Sequence, residues 1–382
     1  MADAEAHPTS HSDWRTIGTP VLALLLLAAI WGRSLAPLVV VVVGVVLVAA
    51  VLVGVHHAEV VALRVGEPLG SLILAVAVTV IEVGLVLSLM LSGGPEATTL
   101  ARDTVFAAVM ITGNGIVGLC LVVGALRHGV VRFNAEGSSG SMATVAALAT
   151  LCLVFPTVTT TSPGPTFSGP QLAFAAVISL VLYGVYVFVQ TVRHRDYFLP
   201  VGPDGDALPG TPAAEDGDGE GPEEAHEPPP ATREALVSAL LLVVSLVAVV
   251  GLAKSVSPAI ESGVRAVGAP LSVVGVAIAL LVLLPETLAA VRAAARNRLQ
   301  TSFNLAMGSA LASIGLTIPA IAAAMIWLPG PLVLGLSPTE MILLALSVVV
   351  GTLTVVAGRA TVLQGAVHLL IFASFLFIAV TP

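Results

Sequence analysis

Residues 71–91 read SLILAVAVTVIEVGLVLSLML, an unbroken apolar run with a single acid, Glu82, near its centre. Residues 271–291 read LSVVGVAIALLVLLPETLAAV, and Glu286 is held there in the same way. Neither run contains a Lys or Arg that could neutralise its acid. A carboxylate at bilayer depth costs about 2.5–3.5 kcal/mol on insertion scales, so such residues are rare and mark function. One acid falls in each half of the chain, which suggests a duplicated architecture. The pair points to movement of a cation.

Working outward, the chain has 382 residues, of which 57% are hydrophobic and 10% charged. Its mean hydropathy is +1.03. A soluble domain carries roughly 25% charge, so the bilayer is the main solvent here. The apolar runs are continuous rather than alternating, which favours helices over a β-barrel. The fold class expected is an all-α polytopic membrane protein. Cys120 and Cys152 lie inside apolar runs and read as small buried hydrophobes. The net charge of −8 comes mainly from one loop and implies no nucleic-acid partner. The first apolar run, VLALLLLAAIWG, leads straight into another and reads as a retained helix rather than a cleaved leader.

Eleven spans are expected, at about 18–32, 35–55, 68–92, 103–126, 142–161, 170–191, 234–253, 269–291, 302–328, 337–357 and 360–380. With the N-terminus in the cytoplasm, Arg15, Arg64, Arg127, Arg132, Arg193, Arg195, Arg233, Arg292, Arg296, Arg298 and Arg359 fall inside. Arg33, Arg102, Lys254 and Arg265 fall outside. This bias predicts an N-in, C-out protein of the inner (plasma) membrane.

The segment 199–231 contains EDGDGEGPEEAHEPPP and reads as an acidic, disordered cytoplasmic linker. It divides the chain into an N-terminal tail and extra helix (1–34), a first five-helix repeat (35–198) and a second (232–382). Five crossings is an odd number, so the second repeat is inverted relative to the first. Transporters with inverted repeats place their ion site at the midplane between the halves. Glu82 and Glu286 occupy equivalent spans of the two copies.

The neighbouring spans supply neutral oxygens. Asn114 lies in ITGNGIVG, and Asn304, Ser309 and Ser313 lie in TSFNLAMGSALASIGLTIP. Thr79, three residues before Glu82, shares its helical face. Pro285 and Pro319 mark kinks that free backbone carbonyls. Two carboxylates with such oxygens suit a hard cation such as Ca²⁺, which takes six to eight oxygen ligands. Low dielectric disfavours the bare dianion, so the same acids take up protons. Competition between cation and protons for one site is the physical basis of antiport. His56 and His57 are candidate pH-sensing residues at the cytoplasmic end of span two. His368, alone in the last span, reads as a hydrogen-bonded core residue. The chain lacks HExxH, GxSxG and a phosphate-binding loop, which argues against an intramembrane enzyme and an ATP-driven pump. The polar residues cluster at mid-depth instead of lining a continuous pore, which argues against a channel.

Three segments carry a family resemblance: HHAEVVALRVGEPLGSLILAVAVTVIEVGLVLSLMLSGG (56–94), ARDTVFAAVMITGNGIVGLCLVVG (101–124) and LPETLAAVRAAARNRLQTSFNLAMGSALASIGLTIPAIA (284–322). They resemble ChaA-type bacterial calcium/proton antiporters of the Ca²⁺/cation antiporter superfamily. The resemblance implies two inverted five-helix repeats with α-repeats at about 68–126 and 269–328. It also implies Glu82 and Glu286 as the cation- and proton-binding acids, and an acidic cytoplasmic segment similar to residues 215–227. Many members of the wider superfamily carry Gly-Asn before the repeat acid. Val78-Thr79 stands there in this chain, which removes an amide ligand. The expected function is export of Ca²⁺ in exchange for H⁺, with Na⁺/H⁺ or K⁺/H⁺ exchange through the same acids as the alternative. No resident cofactor and no obligatory protein partner are implied.

Overall fold

In the computed structural model the chain is a bundle of long helices, described over residues 14–33, 35–66, 69–92, 98–199, 201, 230–266, 268–327 and 330–381. The acidic linker falls, for residues 202–229, outside the described residues.

The first half begins with α1 (Trp14–Ile30), α2 (Pro37–Val65) and α3 (Leu69–Ser92). It continues with α4 (Leu100–His128), α5 (Ala135–Val158) and α6 (Gly169–Arg193). The second half holds α7 (Thr232–Ala266), α8 (Ser272–Val282), α9 (Leu284–Ala295), α10 (Leu299–Ala324), α11 (Pro338–Val356) and α12 (Val362–Val380). α2 opens with PLVVVVVGVVLVAAV, whose β-branched residues would favour a strand in water. In a bilayer a lone strand leaves its backbone unpaired, so a helix forms instead. Sharp capping sets other boundaries: the Ser337 side chain accepts from the Glu340 amide, and the Glu340 carboxylate accepts in return from the Ser337 amide.

Among the described residues, nine helices are long and apolar enough to cross a membrane, and ten if the bent pair α8–α9 counts as one. α1 is shorter, at 17 residues. Three expected spans are corrected. α2 runs on to Val65 instead of stopping near 55, so His56, His57 and Glu59 lie within the helix. α7 runs to Ala266 instead of 253, which puts Lys254 and Arg265 on the helix instead of in a loop. At 1.5 Å per residue α7 is roughly 50 Å long and overruns a ~30 Å hydrocarbon core. The span expected at 269–291 is broken at Leu283, where α8 and α9 meet at 53°. Pro319, by contrast, sits inside α10 without ending it.

Contacts between loops join positions that an alternating crossing order places on one side. Arg64 donates to Thr232 at 2.8 Å, and His128 meets the Ala295 carbonyl at 3.2 Å. Strands β1 (Val131–Arg132) and β2 (Arg359–Ala360) pair antiparallel, Val131 opposite Ala360. At the other end Thr166 bridges Val333, and the Gly335 amide donates to the Pro165 carbonyl at 3.0 Å. Arg102 pairs there with the buried Asp103 at 2.7 Å and also reaches the Gly335 carbonyl.

The apolar interior divides in two. One cluster joins α1, α2, α3 and α7 with one face of α8, through residues such as Val51, Ile81, Val249 and Ile278. The larger cluster joins α4, α5, α6, α10, α11 and α12 through residues such as Phe106, Leu148, Leu311 and Phe375.

Candidate functional site

Glu82 sits in the fourth turn of α3, 4% exposed, with Ile81 fully buried beside it. Its Oε1 accepts a hydrogen bond from Ser313 Oγ of α10 at 2.7 Å. Thr317, one turn further along α10, lies next to the same carboxylate. A buried carboxylate held by a hydroxyl donor keeps part of its lost hydration.

Glu286 is placed by the break. Pro285 stands in the first turn of α9, where its missing amide hydrogen costs nothing. Without that hydrogen the Leu281 carbonyl has no donor four residues on. Glu286 follows in the same first turn, at the positive end of a half-helix, which favours a carboxylate. Its Oε2 is buried and has no hydrogen-bond partner among the described residues. The carboxylate feels the charges of both Glu59 and Glu82.

Both acids line one cavity of about 260 Å³. Thr79, Asn304, Ser309 and Ser313 line it too, together with Tyr183, Tyr186, Gln190 and Thr301. Six of the residues expected from sequence therefore come together. The Asn304 amide is engaged on both sides: Nδ2 donates to the Phe198 carbonyl at 2.6 Å, and Oδ1 accepts from Gln300 at 2.9 Å. Three expected residues do not reach this lining. Asn114 turns toward α11 and α12, where its Nδ2 donates to Ser347 Oγ at 2.9 Å. His57 is buried with Nε2 3.0 Å from the Thr16 carbonyl, and His56 is exposed. Sequence reading missed Thr317, Gln190 and the closeness of Glu59 to Glu286. Thr317 carries a usable signal, since it lies four residues after Ser313 on one helical face.

Two carboxylates and several hydroxyls around one cavity can hold a divalent cation or take up protons. Among the described residues no group of three or more His, Cys, Asp or Glu gathers as a metal site.

The family description for sodium/calcium exchanger proteins matches residues 34–192 and again residues 237–381. The chain belongs to the sodium/calcium exchanger family. It is a membrane antiporter of cations, not an enzyme. It is 47% identical over 336 residues to the y4hA protein of Sinorhizobium fredii, covering 88% of this chain and 87% of that one. It is 34% identical over 376 residues to the sodium-potassium/proton antiporter ChaA of Escherichia coli, covering 97% of each. Its fold is that of YfkE, with a TM-score of 0.67 at 16% identity over 96% of this chain and 99% of that one. The H⁺/Ca²⁺ exchanger CAX matches equally well, with a TM-score of 0.67 at 16% identity over 95% of this chain and 87% of that one. The resemblance to ChaA-type proteins and the Ca²⁺/cation antiporter superfamily thus holds.

Proposed function

We propose that the chain exports Ca²⁺ from the cytoplasm in exchange for protons by alternating access, with cation and protons competing for Glu82 and Glu286. The observation that carries this reading is the shared cavity. Two acids from opposite halves line it, and Glu286 Oε2 has no donor among the described residues. A buried carboxylate oxygen without a donor is costly unless a cation or a proton supplies the missing partner. Bound Ca²⁺ or protons neutralise the site and allow it to reorient, whereas the bare dianion resists burial. Ser313, Thr79, Ser309 and Asn304 line the same cavity and bring neutral oxygens to it. The architecture proposed is eleven crossings in the inner membrane, N-terminus cytoplasmic, as one helix plus two inverted five-helix repeats. The two separate family matches and the one-sided pairing of loops support it.

Monovalent exchange, Na⁺ or K⁺ against H⁺, is the second reading. It is favoured by the 34% identity to a sodium-potassium/proton antiporter.

The test is proton flux in everted vesicles holding an acid-inside gradient, challenged separately with Ca²⁺, Na⁺ and K⁺. Collapse by micromolar Ca²⁺ is expected in wild type. It should be absent in Glu82→Gln and in Glu286→Gln at equal membrane content. Collapse by Na⁺ or K⁺ alone moves the assignment to the second reading. Robust exchange by either Gln variant refutes the two-acid site.

A further inference from the structure

His368, on α12, is 1% exposed and takes no part in the cavity of the two acids. Its ring is nevertheless fully engaged. Nδ1 lies 3.2 Å from Asn114 Oδ1, and Nε2 lies 3.1 Å from Thr354 Oγ1 of α11. The Gly113 main chain is also within hydrogen-bond range of the ring.

Donor and acceptor counting fixes the roles at Asn114. Ser347 Oγ gives its hydrogen to the Leu343 carbonyl at 2.7 Å, so it accepts from Asn114 Nδ2. Asn114 Oδ1 is then left as an acceptor, and the ring carries its hydrogen on Nδ1. Nε2 faces the Thr354 hydroxyl, whose one hydrogen is also within reach of the Val350 carbonyl at 2.9 Å.

The place where this network lands gives it significance. Asn114 and Gly113 belong to the π turn Ile111–Ile116 of α4. Single wide turns of this kind interrupt the regular backbone ladder and recur at functional sites. The turn packs against α9 and α10, the helices that carry Glu286 and Ser313. α4 and α12 are pressed together there: a Cβ at Gly118 would stand 3.0 Å from His368 Cβ. Only a small residue at that position lets the ring reach Asn114.

We propose that His368 is a positioning residue for cation exchange, holding the π turn of α4 through Asn114 so that the turn supports α9 and α10 around the two acids. The proposal rests on the antiport reading above for its functional half. Asn114 then acts on the cation through the backbone it holds.

Two variants and two readouts test it. His368→Leu removes both ring bonds. His368→Asn places an amide where Nδ1 stands and keeps the bond to Asn114. In His368→Leu the half-saturating cation concentration should rise roughly tenfold, the size typical of lost support behind a ligand shell. Backbone hydrogen exchange over residues 111–118 should quicken in the same protein. His368→Asn should stay close to wild type in both. Wild-type half-saturation in His368→Leu, or equal impairment in His368→Asn, overturns the proposal. Should His368→Leu not accumulate, the near-isosteric Thr354→Val removes one arm and should move both readouts the same way by less; no movement there also overturns it. The hydrogen-exchange arm reads the turn without transport. It therefore separates failure of this proposal from failure of the antiport reading, which Glu82→Gln in the same membranes controls.

Discussion

At the residue scale the two acids line one cavity and differ in surroundings. Glu82 has a hydroxyl donor at 2.7 Å, whereas Glu286 has an oxygen without one among the described residues. A hydrogen bond to a charged group contributes about 1.5–3 kcal/mol. On the proposed two-acid site, Ser313→Ala removes that donor from the ionised form of Glu82 and leaves the fold intact, because Ala suits a buried helical position. The half-saturating Ca²⁺ concentration should therefore rise about tenfold, as 1.4 kcal/mol per decade dictates, with membrane content unchanged. Equilibrium binding of radioactive Ca²⁺ to the purified protein measures it. An unchanged affinity would mean that Ser313 only pins the empty carboxylate.

At the scale of elements the decisive feature is the break between α8 and α9. It converts an acid in mid-span into an acid on the first turn of a half-helix, where the dipole favours a carboxylate by about 0.3–1 kcal/mol, and up to ~2 when buried. Pro285→Ala restores a donor for the Leu281 carbonyl and lets the helix continue through Leu283. The variant should insert normally and melt no lower than wild type, yet exchange should fall several-fold because Glu286 loses the helix end. Thermal unfolding in detergent and vesicle flux, measured side by side, check the two halves of this statement. Full exchange in Pro285→Ala would show that the bend is incidental. This break also marks the limit of what the sequence discloses. Pro285 announces a kink, but the hydropathy of 269–291 is that of a continuous span. Hydropathy reports transfer into lipid and is blind to how far a helix continues beyond the bilayer, so it sets the ends of α2 and α7 too short. The two acids and the α10 face with Ser309 and Ser313 were legible because each is a local pattern in one helix. The partner of Asn114 was not, since His368 lies 254 residues away and no periodicity encodes that contact.

At the scale of the whole molecule the lining of the cavity reaches toward one end of the bundle. Ala75 and Thr79 lie in the first half of α3, Gln190 near the end of α6, and Thr301 and Asn304 at the start of α10. All of these belong to the end where Arg64, Arg132, Arg193 and Arg298 gather, which the proposed orientation makes cytoplasmic. Glu82 and Ser313 form the deep limit, where the cluster of α1, α2, α3 and α7 meets the cluster built on α10. Reorientation of the site requires movement at that junction, since packed apolar clusters shift as bodies and do not deform continuously. The resting access should then be one-sided. Cys120 and Cys152 are 2% and 0% exposed, so the native thiols give little background to a membrane-impermeant maleimide. Gln190→Cys and Thr301→Cys should be labelled in everted vesicles, which present the cytoplasmic face, and spared in right-side-out vesicles. Labelling from the opposite face alone would reverse the proposed orientation. Equal labelling from both faces would mean that these positions are reached from each side in turn, and would refute a one-sided resting state.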